Sequence, residues 1–219
     1  MNRRLIGVGA AIVLAGLLTV TSSSLRASLT VGLAGATLRY ATPLVLAGLG
    51  ALVSERSGVT NIGIEGLMLT GAFFGIWGTD VTGSWAAGLL VAAASGAALA
   101  ALHGFFCIHL RANQGIIGVA LTVLGTGMTG LAFRAIYGSV GTPTVSRIPT
   151  IDLPLGWIPI VGDQIAHLNA MVWLALLAVP AISVFLERTA WGTRLTAVGE
   201  HPLAAATLGI SVHRYRYAA

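Results

Sequence analysis

Six stretches of this sequence are apolar enough to be candidate membrane spans. They run from Leu5 to Thr21, Leu29 to Val53, Ile62 to Trp77, Trp85 to Leu110, Ile116 to Tyr137 and Leu168 to Leu186. A helix needs about 20 mainly apolar residues to cross a bilayer, and inside lipid the backbone must satisfy its own hydrogen bonds. The expected fold is therefore all-α: a polytopic transmembrane helical bundle of about six spans, with a short cytoplasmic helix besides. Composition agrees. Hydrophobic residues make up 56% of the chain and charged ones only 9%, against roughly 25% charged in soluble domains. The 29 glycines suit helices that pack closely through small residues in lipid. The third stretch is short and carries Glu65, so a broken or re-entrant segment is expected there.

The N-terminus has the shape of a signal peptide, Met1-Asn2-Arg3-Arg4 followed by an apolar run. Ser22 to Ala27 makes a poor cleavage site, which favours an uncleaved first span; the N-terminal residue of the mature protein distinguishes the two. The one long joint, Gly138 to His167, holds Pro143, Pro149, Pro154 and Pro159 and cannot be helical throughout. Residues 138–167 are expected to form an external loop. Trp157 and Trp173 read as lipid anchors at the interface rather than ligand-stacking residues.

Orientation follows from the basic residues, which are all arginine and number twelve. With the N-terminus inside and all six stretches crossing, Arg3, Arg4, Arg56, Arg111, Arg188, Arg194, Arg214 and Arg216 lie in the cytoplasm. Arg26, Arg134 and Arg147 fall outside or near the outer face, and Arg39 lies within the second span. Asp80, Asp152 and Asp163 fall in the outer loops. The positive-inside rule favours this arrangement over its reverse. The arginines are scattered singly and form no stripe, so no nucleic-acid partner is expected.

The sequence holds no His-x-x-Glu-His zinc helix, no Gly-x-Ser-x-Gly elbow and no phosphate loop. His103 and His109 lie six apart on one run, share no helix face well, and read as partner-bonded or interfacial rather than as metal ligands. Cys107 is alone, which rules out an intramolecular disulfide. No catalytic residue, metal or cofactor is expected.

Two segments are unusual. In Ser54-Glu55-Arg56-Ser57-Gly58-Val59-Thr60-Asn61-Ile62-Gly63-Ile64-Glu65-Gly66, polar residues and glycines interrupt two apolar runs. Irregular backbone at membrane depth is tolerated only where protein or a water-filled cavity covers it. Asn61, Gly63, Glu65 and Gly66 are accordingly candidates for a helix break or a translocation path, and a structural role for Glu65, bonding loop amides around Asn61, outweighs a substrate-facing one. Gly71 and Gly75 beyond it suggest close helix packing. In Gly199-Glu200-His201-Pro202-Leu203-Ala204-Ala205-Ala206-Thr207-Leu208-Gly209-Ile210, Pro202 suits a first helical turn and Gly209 a stop. A helix of about two turns is expected, too short to span.

These segments resemble the permease subunits of bacterial ABC importers. The nearest branch is that of ribose and branched-chain amino-acid permeases, and within it the simple-sugar and nucleoside permeases. The resemblance is carried by Ala41-Thr42-Pro43-Leu44, by the segments Ser54 to Val59 and Asn61 to Gly66, by Leu110-Arg111-Ala112-Asn113-Gln114, and by Trp191-Gly192, Arg194 and Ala197 to Pro202. It covers about residue 36 to the end. It implies a single transmembrane permease domain over residues 1–219 in the bacterial inner (plasma) membrane, with a cytoplasmic coupling loop at 188–216. It further implies that Gly199, Glu200, His201, Pro202, Ala204, Ala205 and Gly209 belong to the element that docks on an ABC ATPase subunit. His201 stands where the family usually has Asn. A second permease subunit and an extracytoplasmic substrate-binding protein are the other implied partners, with nucleosides or simple sugars as cargo. Family members commonly carry further spans after the coupling helix, so the chain is expected to be a fragment. The competing readings are an ion- or proton-coupled secondary carrier that uses Glu65, which leaves the helix after Pro202 unexplained, and a membrane scaffold without transport.

Overall fold

A computed structural model describes residues 23–138, 141, 143–152 and 167–219 of the chain. The first expected span, Leu5 to Thr21, and the positions of Trp157 and Asp163 lie outside the described residues. Helix α1 covers Ser23–Arg56, with Pro43 inside it. Helix α2 covers Ile64–Thr82 and α3 Trp85–Gly104, which a π-helical turn at Phe105–His109 prolongs. Helix α4 covers Gln114–Tyr137. Strands β1 (Thr150–Asp152) and β2 (His167–Asn169) follow, and then α5 at Ala170–Arg188. Three shorter helices end the sequence: α6 at Ala190–Glu200, α7 at Pro202–Thr207 and α8 at Val212–Ala218.

By their contacts the residues divide into two compact units, Met1–Thr42 with Thr150–Val172 and Pro43–Pro149 with Trp173–Ala219. In the first, β1 and β2 pair antiparallel with Thr150 opposite Asn169 and Ile151 opposite Leu168. Leu168 and Val172 are fully buried there. The Asn169 carboxamide oxygen accepts the Val172 N–H at 3.0 Å and so caps the start of α5.

Four helical segments of the described residues are long and apolar enough to cross a membrane: Gly35–Arg56, Trp85–His109, Gln114–Tyr137 and Ala170–Arg188. Helix α2 is not among them. The sequence suggested a break within this third segment, but α2 runs unbroken for 19 residues. The irregular backbone comes before it, from Ser57 to Gly63.

The second unit is built around α2, which packs most extensively on α3 and next on α4. Lipid supplies no hydrophobic drive between helices, so contact depends on close approach. Along the α2–α4 seam, a side-chain carbon added to Gly66 would stand 2.6 Å from the Leu121 carbonyl oxygen, and one on Gly125 would stand 2.7 Å from that of Gly66. On the α2–α3 seam, one on Gly78 would meet the Val91 side chain at 2.9 Å and one on Gly88 the Gly75 carbonyl at 2.7 Å. Of the Gly71 and Gly75 pair, only Gly75 lies at the closest crossing; Gly71 has ordinary room.

Polarity is inverted relative to a soluble helix. In α4 the buried face is Gly118, Leu121, Gly125 and Thr129, whereas Val123 and Leu131 are 67% and 71% exposed. Threonine hydroxyls on the seams bond their own helix. Thr70, Thr79, Thr82, Thr122 and Thr129 each donate to the carbonyl of a glycine four residues earlier, at 2.6–3.2 Å.

Candidate coupling site

The end of α1 is closed by a self-contained turn. Gly58 N–H reaches the Glu55 carbonyl and Val59 N–H the Ser54 carbonyl, with Gly58 in the left-handed region at φ +82°. This is a Schellman cap, and glycine is the residue that adopts it without strain. The Ser54 hydroxyl donates to the Val59 carbonyl and the Ser57 hydroxyl to the Ser54 carbonyl, both at 2.7 Å. Ser57 is wholly buried.

The chain from there to α2 is held by two carboxamides. Asn61 Oδ1 accepts the Gly63 N–H at 2.9 Å, the short-range turn that Asn favours. Gln114, at the start of α4, bridges the loop: its Oε1 accepts the Thr60 N–H at 2.7 Å and its Nε2 donates to the Gly58 carbonyl at 3.2 Å. Asn113 caps the same helix by accepting from Gly115 and Ile116. The loop amides thus go to Asn61 and Gln114 rather than to Glu65, the partner the sequence suggested. Glu65 is exposed in the first turn of α2. Gly63 and Gly66 lie instead against α4, beside Gly118 and Leu121.

The residues expected at the cytoplasmic element are divided among three places. Gly199 and Glu200 close α6, exposed His201 forms the junction, and Pro202 opens α7 as its first residue. Helix α7 ends at a second Schellman cap: Gly209 N–H reaches the Ala206 carbonyl and Ile210 N–H that of Ala205, with Gly209 at φ +78°. Ala205 is buried while Ala204 faces outward. Leu203 and Leu208 are 84% and 80% exposed, an apolar pair that helical pattern in so short a segment did not single out.

Gly199 connects this element to the end of α1. A side chain there would run into the Arg56 carbonyl oxygen and come within 2.9 Å of Gly58 N. Arg216 of α8 also donates from Nε to the Ser57 carbonyl at 3.3 Å. The Ser54–Val59 turn is therefore in contact with α4, α6 and α8 at once. At the opposite end of α2 and α4, the Tyr137 hydroxyl donates to Asp80 at 3.2 Å.

Above the turn lies a cavity of about 930 Å³ between α1, α2 and α3. Small residues such as Gly50, Ala72, Gly96 and Ala97 line much of it, with Ser54, Asn61 and Arg216 toward the turn. His103 is buried beside it, its Nε2 3.4 Å from Cys107 Sγ. His109 is bonded to the Tyr217 hydroxyl. Both histidines are thus partner-bonded, each to a different residue.

Residues 33–219 match the family described as branched-chain amino acid transport system, permease component. The chain belongs to this permease family. It is 45% identical over 199 residues to a putative glucose ABC transporter permease protein of Haloferax volcanii, which covers 88% of this chain and 59% of the relative. It is 40% identical over 196 residues to a guanosine ABC transporter permease protein of Bacillus subtilis, covering 83% and 60%. A nucleoside ABC transporter permease protein of Lactococcus lactis is 32% identical over 190 residues, with coverage of 83% and 60%. The chain spans about three fifths of the length of these curated relatives. No solved structure matches it. The permease assignment covers every element from residue 33 of α1 to α8, including the turn and the three short helices. As the family and its apolar helices imply, the chain is a multi-pass membrane protein.

Proposed function

We propose that this chain is part of the membrane-spanning subunit of an ATP-driven ABC importer for nucleosides or simple sugars. It makes and breaks no bonds itself. A binding protein delivers substrate to the outer side, and an ATPase subunit acts on α7 from the cytoplasm. The bundle, paired with a second permease subunit, then alternates its access. The observation that carries this reading is the contact of Gly199 with the Arg56–Gly58 backbone. It leaves no slack between α6–α7 and the end of a spanning helix, so a push on α7 is felt at the turn below the cavity. The names of the relatives support the cargo class. Arg56 at the end of α1, Arg111 just before α4, Arg194 on α6 and Arg214 and Arg216 on α8 belong to the segments that meet around the turn. This supports placing this end in the cytoplasm and, with the first stretch crossing, the N-terminus on the same side. The outward Leu203 and Leu208 then offer the apolar contact that an ATPase groove needs.

The test is purification of the full-length permease from its native membranes, followed by reconstitution. The reading expects an ATPase and a substrate-binding protein to co-purify, and guanosine or glucose uptake that stops when ATP is depleted. Replacing Glu200 with Lys, or Ala204 with Trp, is expected to abolish uptake while leaving membrane insertion intact. Uptake that survives ATP depletion and collapses with the proton gradient would instead show a secondary carrier.

A further inference from the structure

Helix α8 has only seven residues, yet three consecutive side chains on it reach three separate elements. The Tyr215 ring lies 4.5 Å, centroid to centroid, from that of Trp191 on α6. Arg216 donates to the Ser57 carbonyl at the end of α1. Tyr217 bonds through its hydroxyl to His109 Nδ1 at 2.6 Å, and its ring edge lies over Gly104, filling the room an absent side chain leaves on α3. Successive residues of an α-helix point about 100° apart, so one turn can address three neighbours only if they surround it. Here they do.

Each contact is suited to its target. Ser57 caps α1, so its carbonyl is among the last ones that intrahelical bonding cannot reach; a guanidinium there also meets the negative end of the helix dipole. His109 ends the π-helical turn, a local rewinding common at functional sites. Phe105 stacks on its imidazole at 5.7 Å and 24°, which holds the ring toward Tyr217. Arg216 and Tyr217 also line the cavity between α1, α2 and α3.

We infer that Tyr215-Arg216-Tyr217 is a second joint, beside the Gly199 contact, that passes displacement of α6 and α7 to the spanning helices. Tyr215 takes up the movement from α6, Arg216 delivers it to the end of α1, and Tyr217 delivers it to the end of α3. These are positioning residues; they touch neither ATP nor the reaction that consumes it. The inference rests on the ATP-driven reading given above.

The experiment uses the complete transporter, with full-length permease, ATPase and binding protein, in proteoliposomes, and measures substrate imported per ATP hydrolysed. Arg216→Met keeps the aliphatic stem and removes the donor. It is expected to lower the ratio about tenfold, the equivalent of ~1.4 kcal/mol for one charge-assisted hydrogen bond. Arg216→Lys restores most of the ratio. Tyr217→Phe removes one hydroxyl and is expected to lower the ratio about fivefold, the size of a neutral hydrogen bond. If Arg216→Met fails to accumulate in membranes, Tyr217→Phe decides alone. An unchanged ratio in the variants, beside ATP-driven uptake in the wild type, overturns the joint and leaves the transport reading standing. Wild-type uptake that ignores ATP overturns both.

Discussion

Where α2 crosses α4, two backbones meet with no side chain between them, whereas α4 and α8 are tied to the Ser54–Val59 turn by side-chain hydrogen bonds, and only α6 meets it backbone to backbone, at Gly199. At the crossing, Gly66 lies against Leu121 and Thr122, and Gly125 against Gly66. At the turn, Gln114 reaches in from α4 and Arg216 from α8. Backbone contacts have no rotamer to change, so the crossing gives way only by coming apart. Side-chain bonds exchange with water or with one another at a net cost of about 1 kcal/mol each. One region is suited to holding two helices as a body, and the other to moving against that body without losing touch.

The strongest way to break the contrast is Gly66→Val. Its side chain has no room beside the Leu121 carbonyl, and overpacking of this kind costs about 3 kcal/mol or more when backbone must shift. The full-length protein in detergent is expected to show a markedly lower unfolding midpoint, or to be lost from membranes. A midpoint equal to wild type would mean that α2 and α4 are not in contact. Gly58→Ala is expected to act at the turn with a smaller cost, about 1–2 kcal/mol for a left-handed conformation, and to impair ATP-coupled uptake more than its midpoint shift suggests. If uptake and midpoint fall together, the turn is merely structural. The smallest effect is expected from Tyr137→Phe, which removes the exposed bond to Asp80. Its midpoint should stay within about 0.5 kcal/mol of wild type, and a larger loss would show that the far end of the seam is also held by side chains.

Much of the architecture was legible from the sequence because it depends on local properties. The runs from Trp85, from Ile116 and from Leu168 became helices close to their expected limits, since length and apolarity suffice to define them. Pro202 and Gly209 bracketed α7 because each acts on its own backbone. What stayed hidden depends on partners distant in sequence. Nothing near Gln114 announces that it will bond Gly58 and Thr60, and nothing near Tyr217 announces His109. Gly71 and Gly75 made the expected small-residue motif, yet the closest crossings use Gly66 against α4 and Gly75, Gly78 and Gly88 between α2 and α3; spacing marks a face of the helix and leaves the crossing point to the partner. Glu65 drew attention as an ionisable residue, but the shorter Asn61 was better placed to take the nearby amide.

The threonines of α2 and α4 have a consequence for how the protein is made. Each hydroxyl on these seams is satisfied by a glycine carbonyl of the same helix, so none waits for a neighbour. Such a segment enters the bilayer with these hydroxyls already quenched, and docks later through the bare glycine surfaces. Insertion and assembly can thereby be separate events, because these hydroxyls add no penalty to a helix that reaches the membrane while its partner is still on the ribosome.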